Sequence, residues 1–435
     1  MNGGAPLDGP HPGRRWDRAS VLFGLVWAWA VLPKLLQTLT APKYRTKIDQ
    51  EAPPLTAVTA AGTNLLTLAL LLWCVFVILE ALRDNPRRNP LGLLVLLLPW
   101  VFLEVRNWQL TVPLRLADLL YPLPVIAVWL LRPGLKQLRL LGYLAGLVAV
   151  LSVLIAILLP DKGVFRSIDG TVITEEKNLL PWGMLVGIFT HGNTLGQFLV
   201  IGIALIALIA NRGHRNALLV ITLTALVWTS ARSTLYAAAA LAAFVLLLSV
   251  LPPRLRGAPV RIILLVTFGM VALLPLVTHD PVAFTNRGFI WGASLNAWRL
   301  HPLVGNGSHY FSDLARTSAD LGGTVYHGHN EFMQLMVIGG VVLAVLVGVM
   351  VLTAVEKAGR GAERSLFAFA FLFSVAGASL LEVSLTFVDN TFLFPVLLLP
   401  LATIVLGAPL STARGAVDVD PGTALGPLRA GRARA

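Results

Sequence analysis

Between residues 21 and 406 the chain is a succession of long, continuously apolar runs, and this feature limits its fold more than any other. Twelve are read, at 21–39, 65–82, 91–105, 116–131, 138–159, 195–210, 217–228, 233–251, 262–277, 332–355, 366–385 and 392–406. Crossing a hydrocarbon core takes about 20 apolar residues per helix. Inside a bilayer every backbone N–H and C=O must be paired within its own helix or around a closed barrel. A barrel strand would alternate apolar and polar residues, and these runs do not alternate. The expected fold is therefore all-α, a polytopic integral membrane protein of about 12 transmembrane helices. Only 13% of the residues are charged, against about 25% in soluble domains, which excludes an ordinary soluble enzyme.

The formal net charge of +12 would by itself suggest a nucleic-acid partner, but its distribution follows the runs instead. With the N-terminus placed in the cytoplasm, 21 of the 34 Lys and Arg fall on the inner side, in the two tails and the loops after even-numbered spans. Orientation follows this bias. Both termini are expected inside, and no nucleic acid is expected as a partner. The domain reading is a cytoplasmic tail at 1–20, a multi-span membrane domain at 21–406 and a disordered cytoplasmic tail at 407–435. Arg14, Arg15 and Arg18 before the first run resemble a secretory signal; because the run continues well beyond signal length, an uncleaved first helix is expected. The one cysteine, Cys74, lies inside an apolar run and can form no intrachain disulfide.

Two outer segments exceed simple connectors, 160–193 and 279–331. The second is the largest water-exposed stretch, a periplasmic loop between spans 9 and 10, and loops of such length are usually functional or disordered. In its "NRGFIWGASLNAWRLHPLVGNG", Trp291, Leu295 and Trp298 fall on one helical face. That spacing predicts a short helix lying at the membrane interface with tryptophan as its anchor.

Three polar motifs open apolar runs: "THGNTLGQF" before span 6, "TSARSTLY" before span 8 and "HGHNEFMQ" before span 10. All three helices should run from outside to inside, so their N-termini face outward together. A helix N-terminus carries unpaired N–H groups and about +0.5 of charge, which suits an anion such as phosphate. Each start offers a side-chain cap: Asn193, Ser230 or Ser233, and Asn330. Arg232 lies within one start and Arg287 on the nearby loop. Both are candidate ligands of a multiply charged anion, a diphosphate being the natural one. The competing readings are a snorkelling anchor for Arg232 and a solvated loop charge for Arg287. His191 is a candidate substrate contact, or else a polar interface residue.

His329 stands one residue outside a capped helix start, where an imidazole can accept a proton from a hydroxyl at neutral pH. His327, next but one, is a second candidate. His-x-His could hold a metal, but no third ligand stands at a recognisable spacing, so neither metal nor cofactor is expected.

Together, "SARST", "NRGFIW…HPLVGNG" and "HGHNEFMQLMVIGG" resemble the motif series of the O-antigen ligase/polymerase superfamily of membrane glycosyltransferases, in that family's order. "THGNTLGQ" is similar to its earlier His-x-Asn element. The resemblance covers roughly residues 185 to 345. It implies an O-antigen ligase-like glycosyltransferase of the inner membrane, with its active site on the periplasmic face. It would move a glycan from an undecaprenyl-diphosphate carrier to a hydroxyl on lipid A-core or another glycolipid or glycan acceptor, with inversion and without metal. Arg232 and Arg287 would bind the diphosphate, and His329 would act as base on the acceptor hydroxyl. Asn330 would orient that histidine or cap its helix. The same resemblance extends to O-antigen polymerases and protein O-oligosaccharyltransferases, which use the same carrier with other acceptors. A transporter of lipid-linked glycans is the rival from another class. It predicts ionisable residues at mid-membrane depth, for which Lys34, Glu80 and Glu382 are the main candidates.

Overall fold

The computed structural model describes residues 17–41, 54–84, 89–165, 178–317, 327–388 and 392–407. The expected tails, apart from a few residues, lie outside them. So does Asp320, a neighbour of the histidine motif.

Each of the twelve apolar runs forms a helix. In chain order the helices are α1 (Arg18–Thr40), α2 (Ala57–Asp84), α3 (Leu91–Gln109), α4 (Pro122–Leu131) after a 3₁₀ turn, α5 (Leu135–Leu158), the one-turn α6 (Pro160–Gly163), α7 (Gly192–Ile206), α8 (Arg212–Trp228), α9 (Arg232–Val250), α10 (Gly257–Val277), α11 (Ala283–Leu300), α12 (Tyr310–Thr317), α13 (Glu331–Gly361), α14 (Phe367–Ser379) and α15 (Phe394–Val405). Seven of them, α1, α2, α3, α5, α9, α10 and α13, are long and apolar enough to cross a membrane. The described residues hold no β-strand beyond one isolated bridge, Val164 to Leu185. The chain is an all-α, multi-pass membrane protein.

Burial separates centre from periphery. Half of the apolar window of α5 and of α13 is buried, against 22% for α2, α9 and α10. The outer helices carry Leu65, Leu72, Leu79, Leu246, Val266 and Leu273 in the open. Such a belt is far larger than the apolar patches of soluble monomers and fits a lipid-facing surface.

Contacts between loops sort the helix ends into two groups. Asp17 accepts from Lys136 and Gln137, Arg18 pairs with Glu80, and Arg261 pairs with Glu356. All of these positions belong to the Lys/Arg-rich set. At the other end, Thr38 donates to the Ile188 carbonyl, Arg106 to Gly305 and Ser308 to Asn107. The starts of α7, α9 and α13 belong to this second end.

The loop helix predicted from the tryptophan spacing is α11. Trp291 is fully buried and Trp298 half-buried, donating to the Pro302 carbonyl. The helix packs on α13, and Trp291 is part of the buried core. The stretch "HPLVGNG" that follows explains the paired glycines downstream. At Gly340, with φ 62° and ψ −161°, the helical path of α13 breaks. The freed amides of Val341 and Val342 donate to Pro302 and Leu303, and the freed carbonyls of Val337 and Ile338 accept from Asn306 and Gly307. A break inside a spanning helix is tolerated because neighbouring protein pairs the released groups. A Cβ on Gly340 would lie 2.4 Å from the Leu303 carbonyl, and one on Gly305 2.4 Å from the Gly339 nitrogen.

Candidate active site

The histidine motif is a tight turn built by its own side chains. His329 takes a left-handed backbone, φ 45°, and its N–H donates to His327 Nδ1 at 2.9 Å. The Gly328 N–H donates to Gln334 Oε1 at 2.8 Å, closing the turn onto the first turn of α13. Asn330 caps that helix as expected, accepting from the Met333 N–H. Fully buried, it also donates to the carbonyls of Val271 and Leu380. One side chain thus ties the end of α10, the start of α13 and the end of α14 together.

The other two expected caps are different. At α7 the cap is His191, whose Nδ1 accepts from the Asn193 N–H. At α9 the cap position is Ala231, with no side-chain cap, and the Ser230 hydroxyl accepts instead from the Leu179 N–H. Small residues let these two starts touch. A Cβ on Gly192 would meet the Thr229 carbonyl at 2.6 Å, and one on Gly196 would meet Thr234 Oγ1 at the same distance.

The organising residue is Glu382, which the sequence reading considered only as a transporter group. The eleventh run ends as a helix at Ser379, short of the expected 385. The non-helical stretch beyond it puts Glu382 between the helix starts. Its Oε1 accepts from Arg287 Nη2 at 2.5 Å and from Asn193 Nδ2 at 2.9 Å. Its Oε2 lies 3.5 Å from His329 Nδ1 and 3.8 Å from His327 Nε2. The two imidazoles are in contact, tilted at 42° with 3.8 Å between centroids. Glu331 holds this stretch from the other side, its Oε2 accepting from the N–H groups of Ser384 and Leu385. A buried carboxylate in the sequence "LLEVSL" was the available signal for Glu382. Its partners come from three distant segments, so spacing could not assign them.

Arg287 is the first regularly helical residue after three left-handed ones, Phe284, Thr285 and Asn286. Its side chain also donates to the carbonyls of Leu381 and Phe284. A guanidinium has five N–H donors; three are used here and two remain. Arg232 is the first residue of α9 and is exposed. His191 packs its ring edge-on to Phe165. The site therefore gathers Arg287, His327, His329, Asn330 and Asn193 around Glu382, with His191 and Arg232 on the adjoining helix starts.

Electrostatics assigns the ring nitrogens. Burial lowers the basicity of His327, and the charges of His329 and Arg287 lower it further against the opposing pull of Glu382. A neutral His327 accepting at Nδ1 carries its proton on Nε2, so neither of its nitrogens is a base toward substrate. Burial works to raise the Glu382 carboxyl, but the His329 imidazole 3.5 Å away and the Arg287 guanidinium bound to it outweigh burial and hold the group well below the usual carboxylate range. A Glu382 carboxylate facing His329 Nδ1 favours the tautomer protonated there, which makes Nε2 the basic nitrogen of that ring.

Ligand atoms of His327, His329 and Glu382 lie within 4.8 Å of one another, close enough to hold a metal ion. Glu382 thus supplies the third group that the sequence spacing lacked. Arg287, already bound to that carboxylate, places a fixed positive charge beside any such ion and opposes it.

With this geometry in view, comparison with known families identifies the central part of the chain. A family model described as O-antigen ligase matches residues 217–348. The match covers less than half of the chain and shows what this central segment is similar to. The matched segment contains Arg232, Arg287, His327, His329 and Asn330, whereas His191, Asn193 and Glu382 lie outside it. No match was found among curated proteins. The likeness points to a membrane enzyme of the glycosyltransferase/ligase class.

Proposed function

We propose that the protein transfers a glycan from undecaprenyl diphosphate to a hydroxyl of a cell-surface glycolipid, such as lipid A-core, on the periplasmic face of the inner membrane. The observation that carries this reading is the Glu382-centred cluster. It joins an arginine that uses three of its five N–H donors among the described residues to a histidine whose Nε2 is its basic nitrogen, beside three helix starts. His329 Nε2 accepts the proton of the acceptor hydroxyl, and the oxygen attacks the anomeric carbon. The bond from that carbon to the diphosphate breaks, and undecaprenyl diphosphate leaves with the electron pair, inverting the centre. A glycosyl diphosphate already has a good leaving group, so charge stabilisation and orientation are what the protein must supply. Arg287 would donate its two remaining N–H groups to phosphate oxygens. Because Glu382 offsets the charge of Arg287, the net positive field falls to Arg232 and the helix starts.

The transporter reading has less support. Glu80 is paired with Arg18 at a helix end, Glu382 belongs to the cluster, and of the three candidates this leaves Lys34, whose ammonium lies 5.6 Å over the Phe392 ring. The test uses purified protein with undecaprenyl-diphosphate glycan, EDTA and a panel of glycolipid, glycan and peptide acceptors. Metal-independent transfer to lipid A-core is expected. Transfer to glycan or peptide alone would reassign the acceptor, and transfer abolished by EDTA would overturn the metal-free mechanism.

A further inference from the structure

A cavity of about 550 Å³ lies between the start of α3, the end of α4, the far half of α13 and the end of α15. Lys357, on its rim, is 26 residues along α13 from Glu331, roughly 35–40 Å at a helical rise of about 1.5 Å per residue. The cavity is therefore at the opposite end of the bundle from the histidine cluster, among the Lys/Arg-rich loops. Its walls include Val95, Val349 and Leu406, and its polar groups include Asn89, Arg132 and Lys357. No carboxylate among the described residues lines it. Among the described residues neither cation's side chain makes an ion pair or hydrogen bond.

Two further observations separate this from scattered surface charge. Arg132 ends α4 with a left-handed backbone, φ 48° and ψ 59°. Glycine is the residue that fits such a helix end without strain; here an arginine is kept, and it lines the cavity. Lys357 lies over Gly407, also left-handed, where a Cβ would come within 3.1 Å of Nζ. The first turn of α3, including Leu91 and Gly92, adds the positive end of a spanning helix to the same wall.

We infer that this cavity binds the phosphate-bearing headgroup of an anionic phospholipid of the adjoining leaflet. Its volume falls in the range of small-molecule sites, about 300–1,000 Å³. Basic pockets between membrane helices suit acidic headgroups. The apolar walls favour a lipid over free phosphate, because they offer contact to acyl chains. The inference does not depend on the proposed reaction.

The test uses full-length protein, delipidated in neutral detergent, with phosphatidylglycerol, phosphatidylcholine or inorganic phosphate added. Melting temperature and bound lipid by native mass spectrometry are the readouts. Phosphatidylglycerol should raise the melting temperature by about 2–5 °C in wild type and remain bound, while the other two probes should do neither. The double variant Arg132→Gly/Lys357→Gln should lose most of the shift and the bound lipid. Glycine relieves the left-handed strain at 132, so this variant should fold, and Lys357→Gln alone should give a partial loss. Arg254→Gln, an exposed arginine near the same end, should behave as wild type. A full shift in the double variant, an equal loss in Arg254→Gln, or the same shift from phosphatidylcholine or inorganic phosphate would overturn the inference.

Discussion

Replacing Glu382 with glutamine is the most informative perturbation of the cluster, because it changes charge and proton inventory while keeping shape. The side-chain oxygen can stay on Arg287 and Asn193, which now bind at 2.5 and 2.9 Å. The new amide then faces the imidazoles as a donor. His329 Nδ1 would accept from it, moving the ring proton to Nε2 and turning the lone pair away from the acceptor hydroxyl. Losing one charge-assisted hydrogen bond to a buried group costs about 1.5–3 kcal/mol. A catalytic histidine held in the wrong tautomer by a carboxylate-to-amide change can lose up to about 10⁴-fold in turnover, as the serine protease triad illustrates. We expect at least about 100-fold loss in turnover in Glu382→Gln, with donor KM changed less than threefold. Glu382→Ala also strips Arg287 of its counter-charge and should lower stability by about 3–5 kcal/mol. Steady-state transfer and thermal unfolding of both variants test this. Turnover within threefold of wild type in a folded Glu382→Gln protein would refute the assignment of Glu382 as the residue orienting His329.

Other consequences follow from the same geometry. Asn330→Ala loses a helix cap worth about 1 kcal/mol and leaves two buried carbonyls without their donor; a combined loss of about 2–4 kcal/mol is expected by thermal unfolding, with Asn330→Asp recovering only the cap. Gly340→Ala should cost about 3 kcal/mol or more, because φ 62° with ψ −161° is a glycine conformation and the added Cβ meets Leu303; a normal melting temperature would contradict the role of the helix break. His327 is held neutral in the folded protein, below its ordinary pKa of about 6.5. As pH falls through that value the unfolded chain takes up a proton that the folded one does not, so stability should decline by up to about 1.4 kcal/mol per pH unit. Glu382, also lowered, adds a loss of the same sign only below about pH 4.3. The stability difference between wild type and His327→Gln should therefore shift against wild type as pH falls from 7 to 5, which unfolding of the two proteins side by side would measure.

The bundle was legible because bilayer chemistry writes itself into contiguous residues, and the twelve runs became twelve helical segments. The Asn330 cap was equally local. The errors came where a side chain answered to a distant segment. Trp291 has the spacing of an interface anchor and is part of the buried core; a one-dimensional pattern does not record what lies opposite a face. Ser230 has the chemistry of a cap but faces Leu179. Asn193 was read as a cap and instead binds a carboxylate 189 residues away. Glu382 was hidden because apolar neighbours made it look like part of a span. Its helix stops at Ser379, where the Leu380 carbonyl accepts from Asn330 and Glu331 collects the amides that follow.

The central claim is that His329, not His327, takes the acceptor proton. The most direct measurement is single-turnover transfer by His329→Ala and His327→Ala side by side, with EDTA present and carrier binding measured separately. Loss of transfer by at least about 100-fold in His329→Ala, with carrier binding retained and a smaller loss in His327→Ala, is the predicted result. Full activity of His329→Ala, or collapse confined to His327→Ala, would contradict the account.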